Sequence, residues 1–342
     1  MSEVVLKVED LSIGFARDEH DGGDKFTAIT DRLNFELRRG EVLGLVGESG
    51  CGKTVTALAL LRLLPSPGGR VLGGRIHFQG RDVLQLSPPE LRKLRGSEIS
   101  MIFQEPSAAL NPLITIEGQL SEVFAYHELS EAPGVLAPEK RIRELLNRVG
   151  FADPDRILKS YPHQLSGGML QRVVIAMALL LKPAIVIADE PTTALDVTVQ
   201  AQIMELLVEL QREEGTSVLL ITHNLGLIAQ YAERLAVMYA GRIVEDASVE
   251  DFLADPLHPY SQGLLAALPD VTRRKKLQPI DGQVPRPAEY DDGCRFRDRC
   301  HRRQEVVPAG ACERQPPLLP LPARPERSVA CFLHHSTSAE NR

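Results

Sequence analysis

Short apolar runs alternate with stretches of helical period along this 342-residue chain. EVLGLVG at 41–47 is an apolar run closed by glycine, and residues 55–64 are apolar with few interruptions. That order predicts a buried strand, a tight loop and a helix. A second strand is predicted at 184–188, ending in Asp189 and Glu190, and a third at 217–222, ending at His223. Helical periodicity fills the intervals, as over 197–212. Strands alternating with helices predict an α/β fold on a mostly parallel sheet, with functional loops at the carboxyl ends of the strands. The polar, proline-dotted stretch 105–164 breaks this rhythm and predicts a mainly helical insertion. The chain contains no internal repeat.

Chemistry enters at the first strand's end. Gly47-Glu48-Ser49-Gly50-Cys51-Gly52-Lys53-Thr54 fits G-x-x-x-x-G-K-[ST]. Gly47, Gly50 and Gly52 allow the backbone, through Ser49 and Cys51, to wrap a polyphosphate with N–H groups aimed at its oxygens. Lys53 supplies positive charge to the β- and γ-phosphates, and Thr54 a hydroxyl to Mg²⁺. A P-loop NTPase binding a nucleoside triphosphate and Mg²⁺ is therefore expected. Cys51, beside a helix N-terminus, is expected to favour the thiolate, so that alkylation would block nucleotide binding and bound nucleotide would protect; a merely small loop residue is the other reading. Asp189 and Glu190 close an apolar strand, where one carboxylate reaches Mg²⁺ and the other polarises the attacking water. A turn start would use the same residues.

LSGGMLQR at 165–172 precedes the apolar helix leading to Asp189. Ser166 is a good helix N-cap, and Gly167 and Gly168 let N–H groups approach a phosphate, although a tight turn would also suit them. Together with Gln104 in MIFQEP, Ala194-Leu195-Asp196, and His223 in LITHNL, these stations resemble the nucleotide-binding subunits of ABC transporters over about residues 4–270. The resemblance implies a nucleotide-binding domain over 1–270, with an antiparallel β subdomain and a helical subdomain at about 105–175. Residues 271–342 would form a C-terminal extension. It further implies catalytic roles for Lys53, Gln104, Glu190 and His223, and Mg²⁺ contacts from Thr54, Gln104 and Asp189. Ser166, Gly167 and Gly168 would complete the ATP site of a second subunit. Phe15 would stack on adenine, with Phe26 its rival across the insertion at 16–25.

SGGMLQRVVIAMALLLKPAIVIADEPTTALDVTVQAQIMELL, EPSAALNP and DPLHPYSQGLLAALP resemble the ATPases of oligopeptide/dipeptide/nickel importers, and the wording is nearer the first of the two ATPases in such systems. This implies a sister ATPase in a heterodimer, two transmembrane permeases docking near Gln104, and an extracytoplasmic substrate-binding protein. ATP hydrolysis would power import of di- or oligopeptides from the cytoplasmic face of the membrane. Leu170, where Arg or Gln is frequent, and the 16–25 insertion depart from the pattern. The competing reading is a soluble ABC ATPase acting on nucleic acid or ribosomes. One phosphate loop, one signature and no heptad run count against it.

Composition sharpens the ends of the chain. With 43% hydrophobic and 25% charged residues the chain is neither disordered nor membrane-spanning, since its longest apolar run, 173–181, has nine residues. MSEVVLKVED has neither the basic start nor the apolar stretch of a signal peptide, which points to the cytoplasm. The net charge of −7 hides an asymmetry: residues 271–342 carry 14 Lys+Arg against 9 Asp+Glu, leaving −12 for the rest. Four of the five cysteines, Cys294, Cys300, Cys312 and Cys331, also fall there, spaced C-x5-C-x11-C-x18-C. Such thiols in a cytosolic protein argue for a metal over disulfides, either tetrahedral zinc or a [4Fe–4S] cluster, with unligated structural thiols as the remaining reading. Resemblance to the C-terminal extension of peptide-importer ATPases favours the cluster. Arg295, Arg297, Arg299, Arg302 and Arg303 could offset its negative charge; nucleic-acid binding and a solvated basic surface are their other uses.

Overall fold

The computed structural model describes residues 3–16, 26–127, 138–192, 195–267, 279–306 and 308–335. The insertion beyond Ala16 and Ala194 of the predicted triplet lie outside the described residues. In chain order the strands and helices begin with β1 (Val4–Ala16), β2 (Phe26–Arg38), β3 (Val42–Val46), α1 (Lys53–Leu60), β4 (Gly69–Phe78) and β5 (Arg81–Asp82). Next come α2 (Pro88–Ser97), β6 (Ile99–Ile102), α3 (Pro106–Ala109), α4 (Ile116–Tyr126), α5 (Pro138–Arg148), α6 (Pro154–Leu158) and α7 (Gly167–Leu179). β7 (Ile185–Asp189), α8 (Val197–Glu214), β8 (Ser217–Thr222), α9 (Leu225–Tyr231), β9 (Arg234–Tyr239) and β10 (Arg242–Ser248) follow. The last are α10 (Val249–Ala254), α11 (Pro259–Ala266), β11 (Leu319–Leu321) and β12 (Arg324–Val329). Two compact units result: Met1–Val5, Arg38–Val42 and Gln85–Leu220 in one, Leu6–Leu37, Leu43–Leu84 and Ile221–Arg342 in the other.

In the first unit β6, β7 and β8 are successive neighbours in the sheet. β6 and β7 run parallel, from Ile99 opposite Ile185 to Ile102 opposite Ala188. Every residue of β7 and β8 is buried, as a strand covered on both faces requires. The predicted helical insertion is present among the described residues as α3 to α6. Thr115 caps α4 by accepting from the Gly118 N–H, and Asp153 caps α6 by accepting from the Arg156 N–H. Ile142, Leu145 and Leu146 of α5 recur at the spacing of one helical face and are buried. Behind them the Arg141 guanidinium reaches the carbonyls of Leu179 and Leu180 and the carboxylate of Glu214. α8 stops at Gly215, whose φ of 70° belongs to the left-handed region.

The second unit holds a four-stranded antiparallel sheet, in order β2-β1-β4-β5, and the strands β11-β12-β10-β9-β3. β3 and β9 are parallel and wholly buried. β9 and β10 are antiparallel, and β12 of the extension pairs with β10, Val329 opposite Glu245 and Ser328 opposite Asp246. The basic tail is thus hydrogen-bonded into a sheet.

Candidate functional site

The glycine loop joins β3 to α1. The helix begins at Lys53, two residues before its apolar run, and ends at Leu60, short of the predicted 64, where Arg62 adopts a φ of 52°. Parallel pairing of Val46 with Val237 sets Gly47 beside Met238, so a Cβ on Gly47 would lie 2.1 Å from the Met238 carbonyl oxygen. Gly52, the N-cap residue, has a φ of 108°, and a Cβ there would meet Met238 and Thr30. Lys53 is buried and its Nζ donates to the carbonyls of Gly47 at 2.8 Å and Glu48 at 3.1 Å. Ser49, Gly50 and Thr54 are exposed at the loop surface.

Cys51 departs from the sequence expectation. Its side chain is 0% exposed, and burial, outweighing the nearby Lys53 ammonium, pushes the thiol pKa up. The thiolate expected from a helix N-terminus is therefore disfavoured, because desolvation exceeds the helix and lysine fields. A reagent cannot reach the sulfur in the folded loop.

Glu48 has partners that the motif alone does not reveal. Its N–H donates to the Tyr260 hydroxyl at 2.9 Å, and its carboxylate takes both ends of the Arg299 guanidinium, at 2.7 and 3.1 Å. The only signal in the sequence is an acid placed where a phosphate would repel it.

In the first unit, the parallel register of β6 and β7 carries Gln104 and Glu190 to equivalent positions beyond Ile102 and Ala188. Gln104 Nε2 donates to Glu190 Oε2 at 3.3 Å. Asp189 closes β7 and is buried, whereas Glu190 is half-buried with a φ of 47°. Left-handed backbone at a non-glycine residue stores strain of the kind found at functional positions. Ser166 caps α7 by accepting from the Met169 N–H at 3.3 Å. A Cβ on Gly168 would press on Val199 of α8 at 3.1 Å, whereas on Gly167 its nearest neighbour would be 4.0 Å away. Packing thus restricts the second glycine more than the first. Asp196 caps α8 through the N–H groups of Thr198 and Val199.

In the second unit His223 follows β8 and is exposed, ahead of Asn224, the cap of α9. Phe15 lies opposite Gly69 across β1 and β4, and both Phe15 and Phe26 are half-buried. The Arg70 guanidinium covers the Phe26 ring at 3.6 Å from its centre.

The extension's cysteines are packed rather than displayed. Cys312 clusters with Val306 and Ala311 against Cys294, Phe332 and Leu333, while Cys331 packs with Leu257 and Val329. The Cys294 N–H donates to the Cys312 carbonyl. Burial, reinforced by the other three thiols, pushes Cys294 up to about 12, and burial with Cys300 and Cys312 pushes Cys331 to about 11. Among the described residues, no three or more His, Cys, Asp or Glu side chains form a group that could hold a metal ion. The five arginines are engaged with carboxylates: Arg295 with Asp31, Arg297 with Asp291, Arg299 with Glu48, Arg302 with Glu305, and Arg303 with Glu313. Their charge is offset locally; Arg295 and Arg299 are buried, whereas Arg303 stays on the solvated surface that composition allowed.

Comparison with known proteins agrees with this architecture. Residues 30–193 match the ABC transporter family, and residues 244–306 the oligopeptide/dipeptide transporter C-terminal region. The chain is 44% identical to the oligopeptide transport ATP-binding protein AppD of Bacillus subtilis, over 98% of both chains. Identity to the oligopeptide transport ATP-binding protein OppD of Salmonella typhimurium is 46%, over 97% of this chain and 94% of that one. Among solved structures, a dimeric ATP-binding cassette in a post-hydrolysis state bound to ADP and Pi aligns with a TM-score of 0.60 at 26% identity, covering 71% of this chain and 98% of that one. Fold and glycine loop define a P-loop ATPase of the ATP-binding cassette class. The chain belongs to the ABC transporter family, in the branch of oligopeptide and dipeptide transport ATP-binding proteins.

Proposed function

We propose that this ATPase powers import of di- or oligopeptides through separate permeases, working at the cytoplasmic face of the membrane beside a sister ATPase. An extracytoplasmic binding protein would deliver the substrate. The supporting observation is similarity to peptide-transport ATPases along nearly the whole of both chains, extension included. No helix among the described residues is long and apolar enough to cross a membrane, so the permeation path belongs to other chains in this reading. Leu113, 84% exposed, and its neighbour Ile114 follow Gln104 on the helical insertion and offer an apolar face to a permease. Paired arginines in the extension weigh against a nucleic-acid partner.

In the proposed site Lys53 moves from the loop carbonyls to the β- and γ-phosphates, where its charge is worth more. Mg²⁺, held by Thr54, Gln104 and Asp189, would supply charge neutralisation at the phosphate oxygens. Glu190, oriented by Gln104, accepts a proton from the attacking water, and His223 contacts the γ-phosphate. Ser166, Gly167 and Gly168 present the start of α7 to the nucleotide of the sister subunit. Phe15 is the proposed adenine platform.

Cys294, Cys300, Cys312 and Cys331 are proposed to hold a [4Fe–4S] cluster, with zinc as the alternative. The support is the match of the extension to the peptide-transporter C-terminal region and the cysteine spacing, with Arg302 within electrostatic reach of Cys300 and Cys331; the thiols as placed do not themselves form a metal-holding group. Such a centre would supply a cross-link between distant parts of the extension. Iron, sulfide and zinc analysis after anaerobic purification distinguishes the two. For the transport reading, the chain is co-purified with its permeases and sister ATPase in lipid, and peptide with binding protein is added. ATP hydrolysis should rise; indifference to both the permeases and peptide would refute the assignment.

A further inference from the structure

The body and the extension meet inside the second unit at the phosphate loop itself. Within Cys294-Arg295-Phe296-Arg297-Asp298-Arg299-Cys300, two arginines reach inward on either side of Phe296, which is 2% exposed. Arg299 takes the Glu48 carboxylate with both terminal nitrogens, and its guanidinium also donates to the Tyr239 hydroxyl and to the carbonyls of Asp281 and Ile280. The side chain is 7% exposed. Arg295 pairs with Asp31 and donates to the Ala240 carbonyl; the next residue, Gly241, donates its N–H to the Cys51 carbonyl at 3.0 Å. Phe296 packs edge-on against Tyr239 and tilted against Tyr260 and His258, and the Tyr260 hydroxyl receives the Glu48 N–H.

We propose that Arg299 is a positioning residue for the phosphate loop, holding Glu48 turned away from the polyphosphate so that the loop's N–H groups and Lys53 remain available to it. The idea rests on reading residues 47–54 as that loop. Its physical basis is a conflict within the motif. Glu48 lies among groups arranged for an anion, where an unpaired carboxylate would repel phosphate and compete for the Lys53 ammonium. A bidentate guanidinium, itself fixed by three further acceptors or hydroxyls, removes that competitor at a defined angle. Because Cys294 and Cys300 bracket the segment, the conformation of the cysteine region is transmitted to the loop through Arg299 and Arg295.

The test is equilibrium binding of ATP to the full chain by calorimetry. Arg299→Ala should weaken ATP about tenfold, and adding Glu48→Gln in that background should recover most of the loss, because the unpaired acid is gone. Alkylation at Cys51, followed by peptide mass spectrometry without nucleotide, should become detectable in native Arg299→Ala while remaining absent in the parent. Arg299→Lys, which cannot span both carboxylate oxygens, should weaken ATP about threefold and keeps the test open if the alanine variant does not fold. Wild-type affinity in whichever variant folds, or a loss that Glu48→Gln fails to relieve, overturns the proposal. Lys53→Ala is the control for the underlying reading: normal ATP binding in that variant would refute the phosphate loop itself, whereas loss there with wild-type affinity in Arg299→Ala refutes only the positioning role.

Discussion

Arg327 of β12 and Glu245 of β10 form an ion pair at 2.8 Å, with side-chain exposures of 1% and 0%. Glu245 also accepts from the N–H groups of Leu257 and His258, and Arg327 donates to the Asp255 carbonyl. The pair ties the extension's strand to the chain entering α11. Arg327 Nε has no hydrogen-bond partner among the described residues, so desolvation is incompletely repaid. Arg327→Ala leaves a buried carboxylate without its counter-charge and should destabilise the second unit by about 3–5 kcal/mol. Arg327→Met/Glu245→Gln, which removes both charges, should cost clearly less. Chemical denaturation of the three proteins checks the order.

His258 is wholly enclosed and its Nδ1 accepts from the Tyr260 N–H. Burial, with a smaller contribution from His334, pushes its pKa down from 6.5 to about 3. The imidazole is neutral when folded, while the unfolded chain takes up a proton below about 6.5. Stability is therefore complete above that pH and falls progressively toward about pH 3, by up to roughly 2 kcal/mol between pH 6.5 and 5. Asn keeps the helix cap without titrating. His258→Asn should show a flatter stability curve over that interval, and an unchanged slope would exclude His258 as its source.

Much of the core was legible because its strands are buried on both faces and so read as unbroken apolar runs. β8 is found at the predicted 217–222, and β7 is displaced by one residue from the predicted 184–188. Ser166 caps its helix as its residue type suggests. Less legible was anything that depends on distant pairing. The contact of Gln104 with Glu190 follows from the register of β6 and β7, which no local pattern encodes. The Glu48 partner lies 251 residues along the chain. Charge counting placed five arginines together in a basic tail but could not show that each meets a carboxylate. Motif position suggested an ionised Cys51, whereas burial of its side chain decides the opposite.

Gly47 illustrates why one loop position tolerates no side chain. With the Met238 carbonyl oxygen 2.1 Å from a prospective Cβ, Gly47→Ala must displace either the loop or β9. ATP binding should fall by at least about tenfold, with a loss of roughly 1–3 kcal/mol in stability from overpacking. Gly50→Ala, facing open space but at a φ of 80°, should lose less stability. Calorimetric titration with ATP and thermal denaturation distinguish the two.

Because Cys51 is enclosed and its pKa raised, iodoacetamide at neutral pH should leave it unmodified in the native chain with or without ATP. Labelling should appear only when denaturant opens the loop. Rapid native labelling with protection by ATP would instead show that the loop samples an open form in solution. Peptide-resolved mass spectrometry separates Cys51 from the four thiols of the extension.

Glu190 tests the assignment of the catalytic base. Glu190 follows β7 in left-handed backbone, and its carboxylate accepts from Gln104 at 3.3 Å. Glu190→Gln preserves size and removes the ability to take a proton from water. ATP binding should stay within about twofold of the parent, while turnover in the assembled transporter falls by about 10²–10⁴-fold. The Gln104 contact adds a second arm. Gln104→Ala removes both the amide that orients Glu190 and the proposed Mg²⁺ contact, so it should reduce turnover less than Glu190→Gln while raising the Mg²⁺ requirement in either background. Unchanged turnover and Mg²⁺ dependence in Gln104→Ala would remove Gln104 from the site, and near-normal hydrolysis by Glu190→Gln would remove Glu190 from the chemistry.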